Sequence, residues 1–284
     1  MIIVIVSAIL LFIIICFVSM IVDTNRFVVK EYTVYSDKIN AEKNIVLLAD
    51  LHNKQFGKKN SSLLQAIDDL KPDFILSAGD MLTATPGKDF EPAADFMEKI
   101  AEKYPVYYGM GNHEYRLKRY PETYGDMYAV YEARMIKAGC PMLENVTVKT
   151  DDISVTGLAI DRKYYKRFKK MVMDKDYIPK VVGKADKEKV QILIAHNPEY
   201  FGNYAEWGAD LVVSGHVHGG MMRLPFLGGV ISPKCVLFPK YDGGEYKKGK
   251  TTMILSRGLG CHTIPVRVFN PGELICIHLK PCKS

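Results

Sequence analysis

Short apolar runs, each closed by a cluster of Asp, His or Asn, constrain this 284-residue chain more than any other feature. Residues 45–49 (Ile-Val-Leu-Leu-Ala) run into Asp50-Leu51-His52, and residues 74–78 run into Gly79-Asp80. Residues 106–110 lead to Gly111-Asn112-His113-Glu114, residues 190–195 to His196-Asn197, and residues 211–214 to Gly215-His216-Val217-His218-Gly219-Gly220. Such short runs, bounded by turn-forming residues, read as buried strands. Between them, residues 61–70, 90–103 and 124–138 carry apolar side chains at helical spacing. Further strands are expected at 146–148, 153–155, 252–256 and 274–279. Strands that alternate with helices and then dominate predict an α/β fold, two mixed β-sheets packed as a sandwich with flanking helices.

The polar clusters matter because of where they fall. Loops converge at the carboxyl ends of strands in α/β sheets, and ligands gather there. In Asp50-x-His52 and His216-x-His218, residues two apart can face one ion. Asp, Asn and His are hard-to-borderline donors that suit manganese, iron or zinc. A single histidine or Gly-Asp pair is ordinary core or turn chemistry. The ordered set of five clusters is what points to a metal site.

Residues 1–22 contain no charged side chain. As a helix they would extend about 33 Å, enough to cross a hydrocarbon core. No Lys or Arg precedes the run and no Ala-x-Ala-like site follows, which opposes a cleaved signal peptide. A core helix would show polar residues on one face. The expected organisation is a transmembrane anchor over 1–22, a linker over 23–43 and one folded domain over 44–284, held at the cell membrane by a single pass. Arg26, Lys30 and Lys38 follow the span and none precedes it, which favours the cytoplasmic face for the domain.

The net charge of +6 suits an anionic substrate or a membrane surface and is too small to argue for nucleic acid. The six cysteines form no Cys-x-x-Cys pair, so free thiols are expected rather than a disulfide framework or a zinc ribbon. Residues 162–170 hold six basic residues among three aromatics, with Tyr164, Tyr165, Phe168, Met171 and Val172 at helical spacing. That spacing predicts a basic amphipathic helix, resting on anionic lipid or, alternatively, solvated with its aromatics covering the core edge.

Taken in order, Asp50-x-His52, Gly79-Asp80, Gly111-Asn112-His113-Glu114, His196 and Gly215-His216-x-His218 resemble the calcineurin-like metallophosphoesterases over residues 44 to about 279. The chain is similar in particular to a bacterial membrane-anchored branch. That branch shares the N-terminal span, Ala-His-Asn-Pro-Glu (195–199), a Gly-His-x-His-Gly-Gly run leading into Arg-Leu-Pro-Phe (223–226), and Ser-Arg-Gly-Leu-Gly (256–260). It includes hydrolases of UDP-2,3-diacylglucosamine.

The resemblance implies two divalent metal ions, of manganese, iron or zinc. Asp50, His52 and His218 would hold the first, Asn112, His196 and His216 the second, and Asp80 would bridge them. His113 would be the catalytic residue, contacting phosphoryl oxygen or leaving group without binding metal, and donating a proton if protonated. The implied activity is hydrolysis of a phosphodiester or pyrophosphate bond by metal-activated water, with a lipid-linked or nucleotide-sugar substrate expected at the membrane. A broad-specificity phosphomonoesterase and a catalytically dead anchored binding module are the alternatives. Glu114 and Asn197 are expected either to orient the metal-binding histidines or to hydrogen-bond at the surface. Protein phosphatases of this superfamily carry Gly-Asp-x-x-Asp-Arg-Gly, whereas residues 79–85 here read Gly-Asp-Met-Leu-Thr-Ala-Thr. The second Asp and the Arg are missing, which disfavours a phosphoprotein substrate. Arg223 and Arg257 are candidates to replace that arginine, or ordinary surface residues.

Overall fold

In the computed structural model, residues 1–166, 171–224, 226–232, 236–261 and 265–282 are described. The elements begin with α1 (Ile2–Asn25), β1 (Phe27–Ser36), β2 (Lys43–Leu48), α2 (Ser61–Leu70), β3 (Phe74–Ser77), α3 (Glu91–Ala101), β4 (Val106–Gly109) and α4 (Asn112–Arg119). Next come α5 (Pro121–Tyr124), α6 (Met127–Lys137), β5 (Met142–Leu143), β6 (Val146–Lys149), β7 (Ile153–Gly157), α7 (Tyr177–Val182), β8 (Val190–Ile194) and α8 (Phe201–Trp207). The chain closes with β9 (Leu211–Ser214), β10 (Met222–Leu224), β11 (Gly228–Ile231), β12 (Gly244–Lys248), β13 (Thr251–Leu255) and β14 (Gly272–Pro281).

Two six-stranded mixed sheets result, in the orders β1-β14-β2-β3-β4-β5 and β12-β13-β9-β8-β7-β6, with β10-β11 as a separate hairpin. Strands β2 to β5 run parallel, as do β7, β8, β9 and β13. Alternation within single strands sets the layers. In β2, Ile45 and Leu47 face the core between the sheets, whereas Val46 and Leu48 face the helices that carry Leu63, Ile67, Phe96 and Met135. Ile192, Ile194 and Val213 meet the first sheet, while Leu193 and Val212 face outward to Tyr204 and Trp207. The sandwich with flanking helices is therefore as the sequence predicts.

The expected linker over 23–43 is a correction. Residues 27–36 form β1, which pairs in parallel with β14 along its whole length, so the sheet begins there rather than at 44. Its polar, exposed positions belong to an edge strand, and its partner lies some 245 residues away, beyond what a local pattern reports. The strands β10, β11 and β12 also went unread, since β12 is Gly-Glu-Tyr-Lys-Lys. The basic helix over 162–172 is not seen among the described residues: 162–165 make one 3₁₀ turn and 167–170 lie outside them. The five described cysteines are free thiols.

The sheets approach tightly where a Cβ on Gly109 would collide with Ile194 of the facing sheet. Gly109→Ala is expected to cost about 1–3 kcal/mol by overpacking. Ile194→Ala alone is expected to cost about 2–5 kcal/mol by leaving a cavity. Because each relieves the other, urea titration of the double variant should show a loss well below the sum.

Candidate metal centre

Five of the strands converge their carboxyl ends on one point between the sheets. The first sheet delivers Asp50 and His52 after β2, Asp80 after β3, and Asn112 and His113 at the start of α4. The second delivers His196 after β8 and His216 and His218 after β9. Asp50, His52 and His218 bring ligand atoms within 4.8 Å of one another, as do Asp80, His196 and His216, and as do His52, Asp80 and His113. Asn112 lines the same cavity, and its Oδ1 is buried with no hydrogen-bond partner among the described residues.

Holding side chains this close requires unusual backbone. Asp50, His52, Asp80, His216 and His218 all have φ between 51° and 76°. The left-handed region is sparsely populated by side-chain-bearing residues, and such strain persists only where surrounding contacts enforce it. Here they do. The loops after β3 and β4 touch backbone to backbone, since a Cβ on Gly79 would strike Gly111 and one on Gly111 would strike Asp80. The Glu114 carboxylate accepts the N–H groups of Asp80 and Met81 at 2.9 Å and of Gly111 at 3.0 Å, plus the Tyr108 hydroxyl at 2.8 Å. Arg267, fully buried, donates to the carbonyls of Arg257 and Gly258 at 2.9 and 3.0 Å. That holds the 257–260 segment where Gly260 N–H reaches Asp50 O at 2.7 Å.

Each carboxylate is aimed by a main-chain donor: His216 N–H reaches the Asp50 oxygens at 3.0 and 3.1 Å, and His113 N–H reaches Asp80 Oδ1 at 2.7 Å. Burial pushes the Asp50 carboxyl up to about 7 against the opposing charge of His196. Burial acts on Asp80 too, but His196, His113 and His52 together hold it well below the usual carboxylate range. Burial would lower His196, yet Asp80 at 3.1 Å lifts it to about 9.

The histidines are not equivalent, and main-chain partners decide which nitrogen carries the proton. His196 Nδ1–H donates to Ala78 O at 2.7 Å, so Nε2 is the nitrogen that faces Asp80 and the one whose proton a bound ion would displace. His113 Nδ1 accepts from Ala84 N–H at 2.7 Å, so the neutral ring carries its proton on Nε2, 4.0 Å from Asp80 Oδ2. The first arrangement suits a metal ligand and the second a hydrogen-bond donor. His52 Nε2 and His218 Nε2 lie 3.3 Å apart, the spacing of two nitrogens about 2.1 Å from a shared ion. These donors, with the buried Asn112 oxygen, fit divalent metal ions.

The profile of the calcineurin-like phosphoesterases matches residues 43–220. The chain belongs to that family. Among its relatives, the uncharacterized metallophosphoesterase Cj0846 of Campylobacter jejuni is 26% identical over 258 residues, covering 89% of this chain and 63% of its own length. An uncharacterized metallophosphoesterase of Helicobacter pylori is 28% identical over 263 residues, covering 89% and 64% respectively. The phosphodiesterase YaeI of Escherichia coli is 25% identical over 220 residues, covering 76% and 74%. This chain thus spans under two thirds of the length of the first two relatives.

Several expected contacts differ in this calcineurin-like phosphoesterase. Glu114 and Asn197 were expected at the metal-binding histidines or at the surface. Both are instead fully buried on main chain, Glu114 at the Asp80 loop and Asn197 at Tyr164 O and Glu199 N. Arg223 is tied to Gly219 O and Asp242, and Arg257 to Glu273, so neither is available as the missing phosphate arginine. Arg116, Arg162, Lys163, Lys166 and Lys240 line the cavity instead. Glu114 stands third in α4, a position from which Glu commonly reaches back to main-chain donors; Arg267, between two valines, carries no comparable signal in the sequence.

Glu114→Gln replaces an acceptor-only carboxylate with an amide facing four donors. Bound metal, measured by mass spectrometry after dialysis, should fall about 10–100-fold in affinity with the circular dichroism spectrum retained. A bound ion must also displace the proton that Asp80 keeps on His196 up to about 9. Calorimetric titration should therefore show tightening of roughly tenfold per pH unit for that displaced proton as pH rises toward 9, with proton release.

Proposed function

We propose that this chain is a membrane-anchored phosphoesterase that uses two divalent ions to hydrolyse a phosphodiester or pyrophosphate bond in a lipid-linked or nucleotide-sugar substrate. The observation that carries the reading is Asp80, whose carboxylate belongs at once to the His52–His113 group and to the His196–His216 group. Asp50, His52 and His218 would hold one ion, Asn112, His196 and His216 the other, and Asp80 both. Bound divalent ions supply Lewis acidity toward phosphoryl oxygens and a water of lowered pKa. Manganese, iron and zinc all suit this donor set.

The protein's own groups do the rest. His113, fixed by Ala84 N–H, presents Nε2–H to a phosphoryl or leaving oxygen as a neutral donor, stabilising charge as it grows there. The cationic wall from Arg116 to Lys240 draws an anionic ester into the cavity. The cavity, about 1130 Å³, exceeds what a lone phosphate fills and has room for a large ester substrate. Phosphodiesterase is also the printed activity of the YaeI relative. α1, a 24-residue helix long and apolar enough to cross a membrane, supplies the anchor, and Arg26, Lys30 and Lys38 favour the cytoplasmic face.

The full chain, purified in detergent and loaded with manganese, should turn over an aryl phosphodiester faster than the matching monoester. Asp80→Asn should abolish that turnover and weaken both metals while keeping the fold. Turnover of the monoester alone would instead establish a phosphomonoesterase, and the absence of both metal and turnover an anchored binding module. His113→Ala should keep its metal and lose about 10²–10³-fold in turnover number; loss of metal in that variant would make His113 a ligand.

A further inference from the structure

Four large apolar side chains stand uncovered around the β10–β11 hairpin. Phe226 is fully exposed, and Leu227, Leu237 and Phe238 are 61%, 63% and 59% exposed. They form one unit. Phe226 and Leu227 lie at the tip of the β10–β11 hairpin, and the following loop returns against β11, where Leu237 bridges Ile231 and Phe238 N–H reaches Val230 O at 2.9 Å. Val236, Lys240 and Tyr241 of that same loop line the catalytic cavity, so the apolar rim and the cavity wall are one segment. Among the described residues, the phenylalanines with positive φ are Phe226, Phe238 and Phe269, at 67°, 46° and 53°. A bulky residue is strained there. Exposed apolar clusters of this kind mark contact surfaces.

The chain itself indicates what covers them. α1 is fastened to the domain beside the rim: Phe269 N–H donates to Ser19 Oγ at 2.8 Å, and Asn270 N–H to the buried Asp23 carboxylate at 3.0 Å. One residue earlier, Val268 exchanges main-chain hydrogen bonds with Met221 and Arg223 at the root of the hairpin. The Asn270 amide also donates to the carbonyls of His218 and Gly220 at 2.8 Å each. Residues 268–270 thus carry α1 on one side and the hairpin root and His218 loop on the other. Ile14, Ile15 and Val18 of α1 share a cleft with Phe269 and Pro271. The domain therefore abuts the apolar part of α1 rather than hanging below it. With that part in hydrocarbon, Phe269 lies at the interface, and the hairpin is rooted one strand away. The cations around the cavity complement anionic headgroups.

We propose that Phe226, Leu227, Leu237 and Phe238 seat the mouth of the cavity in the surface of the bilayer that α1 crosses, so that the site takes its phosphate ester from the lipid phase. The seating stands on the contacts above; only the use of the mouth for substrate entry rests on the phosphoesterase reading.

Tryptophan is introduced singly at Phe12, Phe226, Phe238 and Val148 in the full chain, whose one native tryptophan, Trp207, is buried and sets the baseline. Val148 lies on β6, the edge strand of the second sheet opposite β12. Each variant is reconstituted in phosphatidylcholine–phosphatidylglycerol nanodiscs with plain or brominated acyl chains. The emission added by Phe226→Trp and Phe238→Trp should be lost in brominated lipid, as for Phe12→Trp, and that of Val148→Trp retained. Retained emission at 226 and 238 alongside quenching at 12 overturns the proposal. So does retained emission at all three, because α1 is then outside the bilayer. Turnover of a water-soluble aryl phosphodiester on the same discs reports separately on the catalytic reading. Turnover without quenching defeats the seating alone; quenching without turnover upholds the seating and defeats the phosphodiesterase reading.

Discussion

Asp50 and Asp80 are almost entirely removed from solvent, 0% and 2% exposed, within 4 Å of imidazole nitrogens and between two sheets. Burying carboxylates is costly unless each is paired and hydrogen-bonded. The surrounding architecture answers that demand. Main-chain N–H groups of His113 and His216 aim the oxygens, while His196 supplies compensating positive charge and His52 and His218 stand within 4 Å as candidate metal ligands. The left-handed backbone at the residues bearing these groups is tolerated because the loops cannot relax. Glu114 binds three N–H groups on one side, and Arg267 four carbonyls on the other.

The same economy of main-chain contacts assigns roles within a ring of chemically similar side chains. Ala78 offers a carbonyl and Ala84 an N–H, one residue before and four after Gly79-Asp80. Ala78 turns His196 Nε2 inward; Ala84 turns the His113 proton inward. A pair of alanines thereby separates a ligand from a donor, through groups that carry no side-chain chemistry at all. This separation explains why a histidine adjacent in sequence to Asn112 can serve a different purpose from His196.

The N-terminal helix is continuous with this framework rather than appended to it. Asp23 is buried against the main chain of Asn270, and Asn270 in turn supports the loop of His218. Buried polar contacts of this kind fix orientation, because breaking them leaves unsatisfied groups. On the proposed reading, the helix sets which way the cavity faces as well as holding the protein at a membrane.

What the sequence determined was local in character. A buried strand announces itself by an apolar run, and residues placed immediately after it have nowhere to go but the sheet's carboxyl edge. The sandwich and the cluster that converges on Asp80 were therefore legible from residues 45–52, 74–80, 106–114, 190–196 and 211–218. The tertiary structure decided whatever depended on a partner distant in the chain. It made residues 27–36 a strand by pairing them with 272–281, and it sent Glu114 to the main chain of Asp80 instead of to a histidine. It also buried Arg267 as a carbonyl clamp and chose the tautomers of His113 and His196. Hydrophobic periodicity reports which side of an element is buried. It carries no record of which main-chain donor or acceptor waits there, and in this site those groups decide what each side chain can do.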